Sequence, residues 1–275
     1  MNFLEKTPET ASLILAAGRG SRMKGFNGSK TLLPLIAEKS PFEGSRPILM
    51  EILDNLPPGP KAVVVNHKKE DVMEASKGHN LSYWEQPVLN GTGGALLAAH
   101  EFVRNQPCSR LIITMGDVPL VKPRTYRELV RHLTENCMVV LGFQPEDKKQ
   151  YGLLRTDGHQ VRKIIEWKYW KTFPPKQQNA LRICNSGIYA VRKDTLLRYL
   201  SLLASNPHIV RKEIDGKLTD VEEFFVTDLV EYMCNDGLPV GYVTAHEEEL
   251  MGVDDLSAVL KVQELYKKRS PQSLN

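Results

Sequence analysis

What is scarce in this chain narrows it first. Four cysteines stand in 275 residues, at Cys108, Cys137, Cys184 and Cys234, without the paired spacing of a zinc site, and they read as free thiols rather than a disulfide framework. No uninterrupted apolar run approaches the ~20 residues of a membrane span. The first residues carry acids and Pro8 instead of a basic segment followed by an apolar one, so the expected compartment is cytoplasmic, with no membrane partner. Net charge is only +3, which removes nucleic acid as the main partner. The basic end at Lys267, Lys268 and Arg269 reads as a solvated helix terminus. The seven histidines show no ligand spacing, no serine or histidine triad stands out, and there is no internal repeat or low-complexity tract. What remains is a chain long enough to bury a large core.

What is present alternates between strand-like and helix-like runs through the first half, the mark of βαβ units in an α/β, Rossmann-like, mostly parallel and mixed sheet with helices on both faces. Strands are expected at 12–16, 61–66, 81–85, 110–115 and 138–143, and helices at 48–56, 72–77, 95–103 and 123–134. The character then changes. Residues 151–167 alternate around Asp157-Gly158, a hairpin signal, so an antiparallel insertion is expected there. Residues 168–180, aromatic, basic and proline-containing, read as a surface excursion. A strand at 181–191, helices at 194–203 and 226–234, a strand at 239–244 and a closing helix at 254–268 complete the pattern. One domain over 1–275 is expected, in two parts at about 10–143 and about 144–252.

The most telling segment runs from Leu13 to Met23, where a buried strand empties into the glycine-rich, basic loop Gly18-Arg19-Gly20-Ser21-Arg22. Two glycines two apart let consecutive N–H groups face one anion, and arginine grips phosphate oxygens in pairs. A dinucleotide fingerprint needs a third glycine where Met23 stands, and a P-loop needs the lysine directly after a glycine, whereas Ser29 separates Gly28 from Lys30. Ligands of open α/β sheets sit at the carboxyl ends of strands. That rule gathers residues 18–22, 86–92 and 116–119 at one cleft. Trp84, Trp167 and Trp170 read as packing residues, and Gly93 and Gly94 as room for close packing at a helix start.

Taken in order, Leu15, Ala16, Ala17, Gly18, Gly20, Ser21, Arg22 and Met23, then Lys30, then Gln86 with Gly91 and Thr92, then Met115-Gly116-Asp117-Val118-Pro119, resemble the sugar nucleotidyltransferases, above all the uridylyltransferase domain of the bacterial N-acetylglucosamine-1-phosphate uridyltransferases. Tyr151-Gly152, Glu166, Asn185-Ser186-Gly187, the segment from Glu223 through Thr227 to Asp228, and Gly252-Val253-Asp254 extend the resemblance over nearly the whole chain. It implies the nucleotide-diphospho-sugar transferase fold, with the part at about 10–143 binding the nucleotide and the part at about 144–252 the sugar. The first loop with Gly116 would hold the NTP phosphates, Arg22, Lys30 and Asp117 would be catalytic, and Gln86, Gly91 and Thr92 would read the base, Thr92 favouring UTP. Gly152, Glu166, Asn185 and Thr227 would hold the sugar, and Asp117 and Asp254 would bind Mg2+. The implied substrates are an NTP and a sugar 1-phosphate, acted on by a monomer or small homo-oligomer.

Departures from the pattern are specific. Asp254 replaces an asparagine, Met115 replaces a tyrosine, and Trp167-Lys168-Tyr169-Trp170 replaces a shorter polar stretch. The hexapeptide repeats of the family's acetyltransferase half are missing from the sequence. Another sugar, another base, or a nucleotide-sugar sensor without turnover stay open as alternatives at this point.

Overall fold

The computed structural model describes residues 9–18, 20, 23, 25–214 and 216–269. The expected loop residues Arg19, Ser21 and Arg22 lie outside the described residues. Strands β1 (Thr10–Leu15), β4 (Lys61–Val65), β5 (Leu81–Glu85) and β6 (Arg110–Met115) lie parallel in the order β5-β4-β1-β6. The same sheet continues through β10 (Cys184–Arg192), β7 (Met138–Phe143), β13 (Val240–Thr244), β9 (Gln160–Ile165) and β8 (Leu153–Asp157). β10 runs antiparallel to both β6 and β7, and β8 and β9 form the antiparallel insertion around Asp157-Gly158, Gly158 adopting a φ of 58°. The fold is therefore mixed α/β, as the alternation of patterns predicts.

Burial on both faces explains why the central strands read as continuous apolar runs. Along β1, Leu13 and Leu15 belong to one core and Ile14 to the other, since successive side chains point to opposite faces. One core is completed by α1 (Ile48–Asn55), α5 (Pro123–Arg131) and α10 (Leu256–Arg269), and the other by α3 (Gly91–Ala98), α4 (His100–Asn105), α8 (Lys193–Ser205) and α9 (Val226–Asn235).

Three expectations are corrected and one is refined. The helix expected at 95–103 begins at Gly91 and breaks at Ala99, whose φ of −97° and ψ of 17° separate α3 from α4. The helix expected at 72–77 forms instead at Lys69–Ala75 as α2, ending where Ser76 turns its hydroxyl back onto the Val72 carbonyl at 2.6 Å. Residues 168–180 do lie at the surface, with only Trp170 buried, but they are folded into helices. They form α6 (Trp167–Trp170) and α7 (Pro175–Ala180), anchored because buried Trp170 donates its Nε1–H to the Tyr151 carbonyl at 2.8 Å. Finally, two hairpins stand where no strands are expected, β2 (Pro34–Ser40) with β3 (Glu43–Pro47), and β11 (His208–Ile214) with β12 (Lys217–Glu223). Gln263 of α10 pins the first hairpin by donating to the carbonyls of Pro34 and Pro41 at 2.8 and 2.9 Å. Among the described residues no helix is long and apolar enough to cross a membrane.

Candidate active site

β1 and β6 end side by side, with the Gly116 N–H donating to the Leu15 carbonyl at 2.9 Å. Beyond these ends a cleft of about 280 Å3 is lined by Leu15, Ala16, Gly18, Gly20, Lys30, Gly116, Asp117 and Asp254. Eight of the residues expected at the phosphate and metal sites thus meet in one place. Ala17 instead turns into the core.

Lys30 sits in the middle of this group, on a single 3-10 turn, with its side chain 13% exposed. Its Nζ donates to Asp117 Oδ2 at 2.7 Å, to the Val253 carbonyl at 2.9 Å and to Asp254 Oδ1 at 3.3 Å. Burial works against the ammonium charge, but Asp117 and then Asp254 outweigh it and leave the Lys30 pKa above its usual value. The Val253 N–H also donates to the Asp117 carbonyl at 2.9 Å, which ties the two carboxylate-bearing loops together. Two carboxylates and a carbonyl converging on one positive atom are hard oxygen donors, and that donor set fits Mg2+, which commonly takes one or two carboxylates and completes its shell with water and substrate phosphates. Among the described residues no group of three or more acidic, histidine or cysteine side chains offers a fuller cage.

The expected base-reading residues do not line this cleft. Gln86 is 4% exposed and spends its Nε2 on Asn90 Oδ1 at 3.0 Å and the Gly91 carbonyl at 3.1 Å. The Thr92 hydroxyl accepts from the Val226 N–H at 3.2 Å, at the start of α9. Gly91, at φ 92°, lies so close under Phe224 that a Cβ would stand 2.3 Å from the Phe224 carbonyl oxygen. Gln86, Gly91 and Thr92 are therefore joined to one another and to the junction of β12 with α9.

The expected sugar residues divide in two. Glu166 and Thr227 line a cavity of about 680 Å3, together with Trp167, Tyr169, Phe173, His208, Phe225 and Asp228. Burial lifts the Glu166 pKa, against a hydrogen bond from the Thr227 hydroxyl, and the Asp228 charge adds to the rise. Gly152 and Asn185 stand behind this cavity. Asn185 donates its backbone N–H to the Gly152 carbonyl at 2.8 Å and its Nδ2 to the Tyr189 hydroxyl at 2.8 Å, while a Cβ on Gly152 would sit 3.5 Å from a Glu166 carboxylate oxygen. Tyr151 connects the two regions. Burial, reinforced by the charges of Asp254 and Asp117, pushes its phenol up to about 12.

Some cavity residues carry no sequence signal of their own. His208 donates or accepts through Nε2 with Asp228 Oδ2 at 2.9 Å and meets the Phe225 ring edge-on at 5.2 Å. Trp167 and Tyr169 line the cavity rather than only packing, each with a lysine ammonium over its ring, Lys171 at 4.2 Å and Lys168 at 4.9 Å. The dipeptide Asp215-Gly216 is a hairpin signal that would have located the strand carrying His208.

Residues 12–214 match the family model described as the MobA-like NTP transferase domain. The chain belongs to that family. This MobA-like domain is also 31% identical over 260 residues to the bifunctional protein GlmU of Campylobacter lari, covering 92% of this chain and 53% of that protein. It is 25% identical over 268 residues to GlmU of Cereibacter sphaeroides, covering 96% and 53%. The chain thus spans about half the length of these curated relatives. The uridine diphosphate N-acetylglucosamine pyrophosphorylase of Trypanosoma brucei superposes with a TM-score of 0.71 at 13% identity, over 92% of this chain and 64% of that one. A nucleotidyl transferase of Methanothermobacter thermautotrophicus superposes at 0.59 with 20% identity, over 95% and 99%. At these identities the likeness is one of fold. Asp254 lies outside the residues matched by the family model.

Proposed function

We propose that this protein transfers a nucleotidyl group from an NTP to a sugar 1-phosphate and releases pyrophosphate, with UTP and N-acetylglucosamine 1-phosphate as the substrate pair. The observation that carries this reading is the convergence of Lys30, Asp117 and Asp254 at the joint ends of β1 and β6, on a chain that also holds a cavity with Glu166 and Thr227 in its wall. The relatives named GlmU and their match over most of this chain support the uridylyl and N-acetylglucosamine assignment.

A phosphate monoester is largely dianionic at neutral pH because its second pKa lies near ~6. It can attack the α-phosphorus without a general base, which agrees with a site built from a lysine and two carboxylates. The protein's task is in-line positioning and neutralisation of the charge that gathers on the approaching and departing phosphates. Gly18 and Gly20 line the cleft where phosphate oxygens would sit, and Lys30 supplies a positive charge in its wall. By resemblance Arg22 adds a second. When bound at Asp117 and Asp254, Mg2+ supplies Lewis-acid neutralisation of phosphate oxygens. Glu166, Thr227 and the aromatic walls would orient the sugar, the carboxylate accepting hydrogen bonds from its hydroxyls. Gln86 acts on base choice through the backbone it fixes at Gly91, since its own amide nitrogen is already engaged.

The test is pyrophosphate release from a matrix of NTPs and sugar 1-phosphates with Mg2+. Release confined to UTP with N-acetylglucosamine 1-phosphate supports the full reading. A different productive pair corrects the specificity alone, and silence across the matrix with UDP-sugar binding intact overturns the catalytic reading.

A further inference from the structure

An ammonium group has three protons to donate, and on Lys30 all three have acceptors, Asp117 Oδ2, the Val253 carbonyl and Asp254 Oδ1. The arrangement is enclosed. The side chain is 13% exposed, and a Cβ placed on Gly20 would come within 2.7 Å of its Cγ. The loops that carry the acceptors are joined by the bond from the Val253 N–H to the Asp117 carbonyl. In this arrangement Lys30 has no proton left for a phosphate. Yet it lines the same cleft as Gly18 and Gly20.

Two carboxylates brought this close repel each other unless a cation lies between them, and Lys30 is a cation bonded to both. Its partners are the oxygen donors that a divalent ion would use. A divalent ion and an ammonium on the same oxygens would repel each other, so both cannot hold these positions together. Asp254 matters here because its carboxylate gives Lys30 a second charged acceptor where the resembling family has an asparagine.

We infer that Lys30 is the resident cation of the metal site, and that entry of a divalent ion and release of the Lys30 ammonium into the phosphate cleft are a single exchange. The inference rests on the reading of Asp117 and Asp254 as metal ligands. Its consequence is an order of events. The positive charge meant for the phosphates is withheld until the metal is in place, so the cleft holds phosphate weakly beforehand.

The experiment is Mn2+ binding without nucleotide, by calorimetry and by the spin-resonance signal of free Mn2+, on the full chain and on K30M, K30R and D117N. The exchange predicts that K30M binds Mn2+ at least about tenfold more tightly than wild type, because the competing charge is gone. K30R should show no such gain, and D117N should weaken binding. Unchanged or weaker binding in K30M, with D117N still weakened, overturns the exchange while sparing the metal site. Unaltered binding in D117N overturns both the exchange and the ligand assignment on which it rests. A second measurement needs no variant. Acetylation of wild-type amines, read by peptide mass spectrometry against exposed Lys77 as reference, should increase severalfold at Lys30 when Mg2+ is added. Constant or reduced labelling of Lys30 would refute the exchange.

Discussion

Replacing Gly20 with alanine tests whether the placement of Lys30, rather than the general integrity of the loop, controls turnover. Gly20 has a φ of 64°, and a left-handed backbone costs a non-glycine residue roughly 1–2 kcal/mol. The new Cβ would also stand 2.7 Å from Lys30 Cγ and 3.0 Å from Cδ. Those atoms belong to a flexible side chain, so the contact is relieved by moving Lys30, not by moving a strand. A displacement of about 1 Å at a catalytic group can cost on the order of 10²-fold in rate. The expected outcome is a modest fall in melting temperature, about 2–4 °C per kcal/mol, with a far larger fall in kcat. Gly158→Ala is the matched control, since Gly158 has a φ of 58° at the turn between β8 and β9, outside the cleft, and a Cβ there meets nothing within 4 Å. It should carry the same backbone cost of roughly 1–2 kcal/mol and leave turnover near wild type. Thermal melts and pyrophosphate release on both variants decide the matter. Equal activity in G20A and G158A would refute the reasoning.

Three further outcomes are expected. Glu249 is 2% exposed and accepts from Thr125 Oγ1 at 2.6 Å and pairs with Lys122 at 2.9 Å, so Glu249→Ala should cost about 3–5 kcal/mol in urea denaturation. Burial pushes the Glu249 carboxyl upward, but the bonds from Thr125 and Lys122 prevail and hold it below the usual range. Its contribution is complete above the unfolded value of about 4.3 and is lost as pH falls through the lower folded value, so the gap between E249A and wild type should narrow in acid and not in alkali. Glu166 has the opposite sign. Its raised pKa makes the ionised form costly, so Glu166→Gln should melt higher than wild type at pH 8, with the gain disappearing below about pH 4; a lower melting point at pH 8 would contradict this. Gln263→Leu removes two buried bonds from the β2–β3 hairpin and should cost about 2 kcal/mol or more, with faster hydrogen exchange over residues 34–47; unchanged exchange there would show that α10 does not hold the hairpin.

Much of the framework is legible in the residues because local pattern and global burial agree. β5, β6 and β7 begin and end where their apolar runs do, and Gly116-Asp117 marks the end of β6 because the chain must turn at the sheet's edge. The hairpin at Asp157-Gly158 is legible for the same local reason. What pattern alone does not convey is anything decided by contacts between distant segments. Thr92 reads as a residue facing a ligand, yet it accepts a bond from Val226, and Gln86 is drawn inward by Asn90. The short helices of residues 167–180 exist because Trp170 finds Tyr151, 19 positions away. β11 and β12 escape notice because their side chains are largely charged, so apolar alternation is weak even though the turn residues are present. The same holds at the active site. Lys30 and Asp117 each carry a signal, while their direct ion pair and the bond from Lys30 to the Val253 carbonyl carry none.

The bond between Val253 and Asp117 also bears on when this protein becomes competent during its synthesis. All strands of the central sheet except β13 are specified before residue 193, and β13 ends at Thr244, yet Asp254 follows still later. A nascent chain can therefore pair all the strands of its sheet while Lys30 has only one of these two carboxylate partners. The charge cluster is closed only once residues 253 and 254 have been made, as if that segment were a seal set on the assembled sheet. Products truncated before residue 253 would lack the Val253 and Asp254 acceptors of Lys30 and, with them, the α10 side chains Val259, Val262 and Leu265 that complete one core.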